Sequence, residues 1–269
     1  MNMMCDILNV SRSGYYDWRR RPQSARAQKQ ERLCERIKEV FDEQDGLYGS
    51  PRVHAELDGA ACVNTVAKLM KKMHLLAGTR RKFIVATTDS NHGFAVAENL
   101  LDRNFSVQKL DQVWCSDITY IPTDEGWLYL AAVMDLCSRR IVGWAIDDHL
   151  RADLCCETLS MAIARRRPSA GLMHHSDRGV QYACDQYQKL LEKHQMICSM
   201  SRRGNCYDNA PMESFFSSLK REWIYQRRYY TKDQARSSVF EYIEVYYNRQ
   251  RRHSTLGYVS PVAFEAARN

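Results

Sequence analysis

The chain has 269 residues, with 39 Lys and Arg against 32 Asp and Glu and a formal net charge of +7. That length allows one core of about 150 residues with appendages, and the positive balance permits nucleic-acid binding without requiring it. No Cys-x-x-Cys occurs among the ten cysteines and no long apolar run appears, so neither a zinc or disulfide framework nor a leader or membrane span is expected, and reduced thiols in the cytoplasm are.

In chain order, Ser11 or Ser13 can cap a short turn ahead of Arg19-Arg20-Arg21. Residues 24–45 predict a helix, with Leu33, Ile37, Val40 and Phe41 on one face and charges on the other. A break at 46–51 precedes two short helices over 52–57 and 64–76. They are joined by Asp58-Gly59-Ala60-Ala61, with Asn64 as the expected N-cap and Val66, Leu69, Met70 and Met73 as the apolar stripe. Two short helices, a glycine between them and a basic second helix fit a helix-turn-helix over 46–78, after a helical segment at 1–45. Any small three-helix bundle gives the same pattern. Residues 79–110 read as a basic linker with a loop-rich approach.

From residue 113 the period changes. Strands are predicted at 113–121, 127–136 and 140–146, a helix at about 151–166, and a strand at 171–175. A helix at 180–194, a strand at 196–200 and a helix at about 209–223 follow. Three antiparallel strands and then alternating helix and strand give an α/β, ribonuclease-H-like core over 111–225, beside the small all-α N-terminal region. A last helix at 232–248 and a basic tail complete the segment 226–269. Basic clusters recur along the whole length, among them Lys71-Lys72, Arg165-Arg166-Arg167, Arg202-Arg203 and Arg251-Arg252. Each alone reads as a solvated face; together they suggest a charged track.

Three acids stand out against this background. Asp117 lies inside the alternating stretch Val113-Trp114-Cys115-Ser116-Asp117-Ile118-Thr119, where a charge is disfavoured unless it serves a metal or faces solvent. Asp177 ends a short apolar strand, where an N-cap and a metal ligand are both plausible roles. Glu213 shares a helix face with Asn209 and Lys220, a pattern that an ordinary Glu-to-Lys surface pair also produces. Asp135 and Asp147 compete with Asp117, and Asp208 and Glu222 compete with Glu213. His174 and His175 lack a second zinc-spaced cluster and read as strand-end residues. Acids on separate elements in a basic chain suggest a divalent-metal site acting on a polyanion, because phosphodiester transfer needs phosphate charge neutralised and hard Mg²⁺ prefers oxygen ligands.

Trp114-Cys115-Ser116-Asp117-Ile118-Thr119-Tyr120, His175-Ser176-Asp177-Arg178-Gly179-Val180-Gln181-Tyr182 and Asp208-Asn209-Ala210-Pro211-Met212-Glu213-Ser214-Phe215-Phe216 resemble the three catalytic motifs of DDE transposases. The similarity is to the second-frame (OrfB) product of two-frame bacterial insertion sequences, relatives of retroviral integrases. Thirty-five residues lie between Asp177 and Glu213, the integrase-type spacing. Tyr48-Gly49-Ser50-Pro51-Arg52-Val53-His54 resembles the family's helix-turn-helix entry, although the 57–63 interval is shorter than that family's. Tyr247-Asn248 through Pro261 resembles its C-terminal tail.

The resemblance implies Asp117, Asp177 and Glu213 as catalytic metal ligands holding two Mg²⁺ or Mn²⁺ ions, with Lys220 touching DNA near the reacting end. Asn209, Arg178, Arg202, Arg203, Lys71, Lys72, Arg251 and Arg252 are the further candidate DNA contacts. It also implies double-stranded DNA as partner (element ends and target), oligomerisation on DNA, and fusion or association with an upstream-frame helix-turn-helix and leucine-zipper product. The expected setting is the bacterial cytoplasm at the nucleoid. A ribonuclease-H-like nuclease that only hydrolyses, and a domesticated or inhibitory DNA-binding protein, are the rival functions.

Overall fold

A computed structural model describes residues 2–77, 94–202 and 205–268. The chain divides into two compact units, one within residues 1–78 and the other within 79–269.

The first unit is helical. Helices α1 (Asn2–Ile7) and α2 (Arg12–Arg20) lead into α3 (Ala25–Glu43), and Ser11 and Ser24 cap α2 and α3 by accepting from the amides of Gly14 and Ala27. α3 packs on α4 (Ser50–Glu56) and α5 (Val63–Lys72), burying Ile37 and Val40 against Val53, Val66, Leu69 and Met70, with Tyr48 and Leu57 filling the gaps. The short connection after α4 turns through left-handed Asp58 (φ 45°) and Gly59 (φ 81°). α5 begins earlier than expected. Cys62, not Asn64, is its N-cap, because the Cys62 carbonyl takes the amides of Thr65 and Val66. The helix closes at Lys72 where His74 turns left-handed (φ 57°) and Leu75 donates back to Met70.

The second unit is built on a five-stranded sheet in the order β3-β2-β1-β4-β5. β1 (Val113–Thr123), β2 (Gly126–Asp135) and β3 (Ile141–Asp147) form an antiparallel meander. Helix α6 (Ala152–Arg166) crosses the sheet, and β4 (Met173–Ser176) and β5 (Ile197–Met200) then add parallel to β1. Trp114, Val133, Val142, Leu159 and Leu172 anchor the core between sheet and helices. α6 lies so close to β3 that a Cβ on Gly143 would meet the Thr158 carbonyl oxygen at 2.4 Å and the Ala162 amide nitrogen at 2.8 Å. Backbone cannot yield as a side-chain tip can. Gly143→Ala is therefore expected to cost about 3 kcal/mol or more, read as a lowered melting temperature.

The single helix expected over 180–194 is two. α7 (Val180–Ala183) and α8 (Asp185–Lys193) are separated by an extended Cys184 (ψ 153°), and Gln188 donates to the Tyr182 carbonyl across the break. After α9 (Ala210–Glu222), α10 (Lys232–Phe240) starts with a Thr231/Gln234 capping box and continues as a π-helix, Glu241–Tyr247. This π-helical stretch buries Tyr242, Ile243, Tyr246 and Tyr247 on one wall. Asn248 both donates to and accepts from the backbone of Ile141, closing the edge of β3.

The basic tail is folded: His253 bridges to Val259, and α11 (Pro261–Ala266) brings buried Glu265 against Arg140 and Arg166. The stretch 94–110 is pinned to the sheet, with Leu101 buried and the amides of Leu100 and Leu101 donating to Ser199. The rest of the expected linker, 79–93, lies outside the described residues. Among the described residues no helix is long and apolar enough to cross a membrane.

Candidate active site

The sheet register creates the site. β1 pairs with β2 along nearly its whole length but with β4 only over Val113–Met173, Trp114–His174 and Cys115–His175. Asp177 follows directly on the end of β4, on the side of β1 that carries Asp117. From Ser116 onward β1 has no strand neighbour on that side, and α9 occupies the place. Asn209 fastens the start of α9 to β1: its Nδ2 donates to the Ser116 carbonyl at 3.0 Å, one residue before Asp117. Glu213 follows one turn later, in the first turn of α9, where the helix dipole favours a carboxylate.

The three acids share one electrostatic field. Burial pushes the Asp117 carboxyl well above the usual carboxylate range, and the charges of Asp177 and Glu213 push the same way. The Ile118 amide, 2.7 Å from Oδ1, and the Lys220 ammonium oppose them. Lys220 is itself lowered to about 8 by burial, against the pull of Asp117, and its Nζ sits 3.8 Å from the centre of the Tyr120 ring. Asp177 accepts from the Gly179 amide at 2.9 Å, and a Cβ on Gly179 would come within 3.0 Å of the same oxygen. Glycine at 179 keeps that carboxylate's approach open.

The donor set suits a hard divalent cation: three carboxylates, oxygen only, whose mutual repulsion a cation would relieve. Among the described residues, the compact trio within 4.8 Å of one another is a different one, Asp147, Asp148 and His149 at the surface.

The rival acids have other employment. Asp135 is fully buried and accepts from the amides of Asp111 and Ser138 and from the Ser138 hydroxyl, holding the corner after β2. Asp147 faces His149 at 3.1 Å. Asp208, fully buried, accepts from Asn99, Arg103 and the Arg202 amide. Burial alone would raise its pKa, yet the Arg202 amide and the two guanidiniums hold it down to about 2. Glu222 is buried against Arg251.

His174 and His175 are buried and hydrogen-bonded to hydroxyls, His174 to Ser116 and Tyr187 and His175 to Ser199 and Ser201. Burial pushes them down to about 3 and about 4, so both are neutral in the fold. A lowered folded pKa gives stability that is complete above the unfolded value near 6.5 and is lost as pH falls through the folded value. The melting temperature of the second unit is therefore expected to drop between pH 6.5 and 4. Each histidine contributes about 1 kcal/mol per pH unit, and the drop is smaller in His175→Asn.

The candidate DNA contacts separate into three groups. Lys71 and Lys72 are exposed on the last turn of α5, and Lys220 stands beside the acids. Arg178 and Arg202 are tied to the scaffold as well, Arg178 to the Ser201 carbonyl and Arg202 to Asp102 and Asp208. Arg252 donates to the Tyr258 carbonyl, and Arg203 lies outside the described residues. Two expectations are corrected. Arg251 is 3% exposed and doubly paired with Glu222 at 2.6 and 2.7 Å, leaving no guanidinium face for phosphate. Asn209 is 4% exposed and holds β1, so it positions the site. Tyr120 and Gly179 escaped the sequence reading. Both lie inside its motifs, but neither residue type signals chemistry without the contact that gives it a role.

Comparison with known proteins adds three family matches. Models described as integrase core domain match residues 107–206 and 194–261, and an HTH-like domain model matches 28–83. The chain is 46% identical to the insertion element IS600 uncharacterized 31 kDa protein of Shigella sonnei, over 97% of each. It is 43% identical to the transposase InsF for insertion sequence IS3A of Escherichia coli (strain K12), over 97% of this chain and 92% of that one. A crystal structure of the catalytic core domain of BIV integrase aligns over 59% of this chain and 95% of that one, at 16% identity and a TM-score of 0.44.

Proposed function

The chain belongs to the IS3-type insertion-sequence transposases, and from that premise we propose that Asp117, Asp177 and Glu213 form the centre at which it cuts element ends and joins the freed 3′-OH to target DNA. The observation that supports this reading is that the charges of both Asp177 and Glu213 act on the buried Asp117 carboxyl, from the end of β4 and the first turn of α9.

Mg²⁺ or Mn²⁺, two ions per site, would supply charge neutralisation for the phosphate and the leaving oxygen. The protein's own part is to hold three carboxylates on separate elements that cannot move together. β1 fixes Asp117, the Gly179 turn fixes Asp177, and the Asn209–Ser116 link fixes the start of α9 and with it Glu213. Lys220 adds a positive charge beside Asp117 that can meet a phosphate. No covalent protein–DNA bond is required, since water and then the freed 3′-OH can serve as the attacking oxygens.

The exposed lysines of α5 support a DNA-gripping role for the first unit, working on double-stranded element ends and target. Assembly as an oligomer on DNA, fusion or association with an upstream-frame product, and work in the cytoplasm at nucleoid DNA complete the reading. The test is joining of a labelled terminal-repeat oligonucleotide to target DNA with Mg²⁺ or Mn²⁺. Joined product supports the proposal. Cleavage without joining favours a hydrolytic nuclease, and binding without either favours a DNA-binding regulator.

A further inference from the structure

A cleft of about 550 Å³ opens between the β1–β2 hairpin and the segment after α9, walled by Tyr120, Trp127, Tyr225, Arg227, Arg228 and Tyr229. We propose that this cleft receives a single unpaired nucleobase from the DNA strand that passes the acids; the identity of the polymer rests on the function proposed above.

Four observations converge on that occupant. The wall is aromatic, and Trp127 is 46% exposed while its ring meets Tyr120 edge-on at 5.0 Å, a platform already braced for stacking. The mouth is cationic: Arg228 is 72% exposed and pairs with Asp124, itself 43% exposed, so a phosphate can compete for it. Tyr225, in the same wall, has its hydroxyl buried without a hydrogen-bond partner among the described residues, a state that buried hydroxyls seldom keep and that a base edge ends once the ring turns toward the cleft. Finally, the cleft adjoins the strand that carries Asp117. Tyr120 is a wall residue, Lys220 stands over its ring, and Lys220 acts on Asp117. Tyr120 is three residues along β1 from Asp117, about 10 Å, so the occupant belongs to a nucleotide close to the reacting phosphate. A duplex cannot place a stacked base in such a cleft. An extruded or single-stranded one fits its size and its rings.

The test uses the full chain without divalent metal and an oligothymidylate carrying one internal 2-aminopurine, alone or annealed to its complement. Binding of the single strand is expected to quench the aminopurine. Trp127→Ala should weaken single-strand binding about tenfold and remove the quench, and Tyr225→Phe, which deletes only a hydroxyl, should weaken it about threefold. Duplex affinity should move less than about twofold in both variants. An unquenched aminopurine with wild type, or variants that lose single strand and duplex equally or lose neither, overturns the proposal. Joining is read separately. Quenching without joining refutes the catalytic assignment alone, and joining without quenching refutes the cleft alone.

Discussion

Asp177→Asn is expected to remove cleavage and joining together, by about a thousandfold or more, while DNA affinity stays within about twofold of wild type. The amide keeps an oxygen for the Gly179 amide, so the turn that carries residue 177 should persist. What disappears is charge. Asp177 is the strongest neighbouring charge pushing up the Asp117 carboxyl, and a group whose folded pKa is raised loses stability as pH rises past its unfolded value. At neutral pH the substitution therefore relieves repulsion. The metal-free variant should melt at the wild-type temperature or slightly higher, and should lack the stabilisation by Mg²⁺ that is expected of the wild type. Asp135→Asn is the control: it disturbs the Asp111–Ser138 corner and should lower stability while catalysis per folded molecule is kept. Retained joining in Asp177→Asn, or equal loss of catalysis in Asp135→Asn, would sink the assignment.

Arg251→Ala should be the most destabilising single change in the C-terminal segment. The Arg251 guanidinium donates to both Glu222 oxygens and to the Ser218 hydroxyl, and Tyr242 donates to the same carboxylate. Removing Arg251 takes away both short ion-pair bonds and leaves buried Glu222 with the Tyr242 hydroxyl and a longer 3.3 Å contact to Arg221, a loss of about 3 kcal/mol. For a unit of this size that is a fall in melting temperature on the order of 10 °C. The salt dependence of DNA binding should not change. Replacing both Lys71 and Lys72 with alanine should do the reverse: it should flatten the salt dependence with little effect on melting. An Arg251→Ala protein that melts normally but grips DNA poorly would contradict the buried ion pair.

This pair of arginine and lysine outcomes shows where sequence reading reaches its limit. The strands, their order and the main helices were legible because alternation and 3.6-residue periodicity report which face is buried. Asp117 could be singled out as a charge in an alternating strand, but not separated from Asp135. Both are acids at strand positions, and only the β1–β4 register and the Ser138 corner tell them apart. Arg251-Arg252 looks like any surface basic pair, because a residue's partner 29 positions upstream leaves no local trace. The break at Cys184, the π-helical turn at 241–247 and the docking of Glu265 on Arg140 and Arg166 were hidden for the same reason. Asn64 was read as a cap from its type alone, whereas the backbone of Cys62 starts α5. Local pattern gave the elements; contacts distant in sequence decided which polar residues build and which ones act.

Three acids from β1, the end of β4 and α9 are proposed to make one metal site, and diffraction from crystals soaked in Mn²⁺, recorded at the manganese edge, checks it. Anomalous density is expected in contact with Asp117, Asp177 and Glu213, and lost in the crystal of Asp177→Asn. Density confined to the surface trio of Asp147, Asp148 and His149, or unchanged in Asp177→Asn, would contradict it.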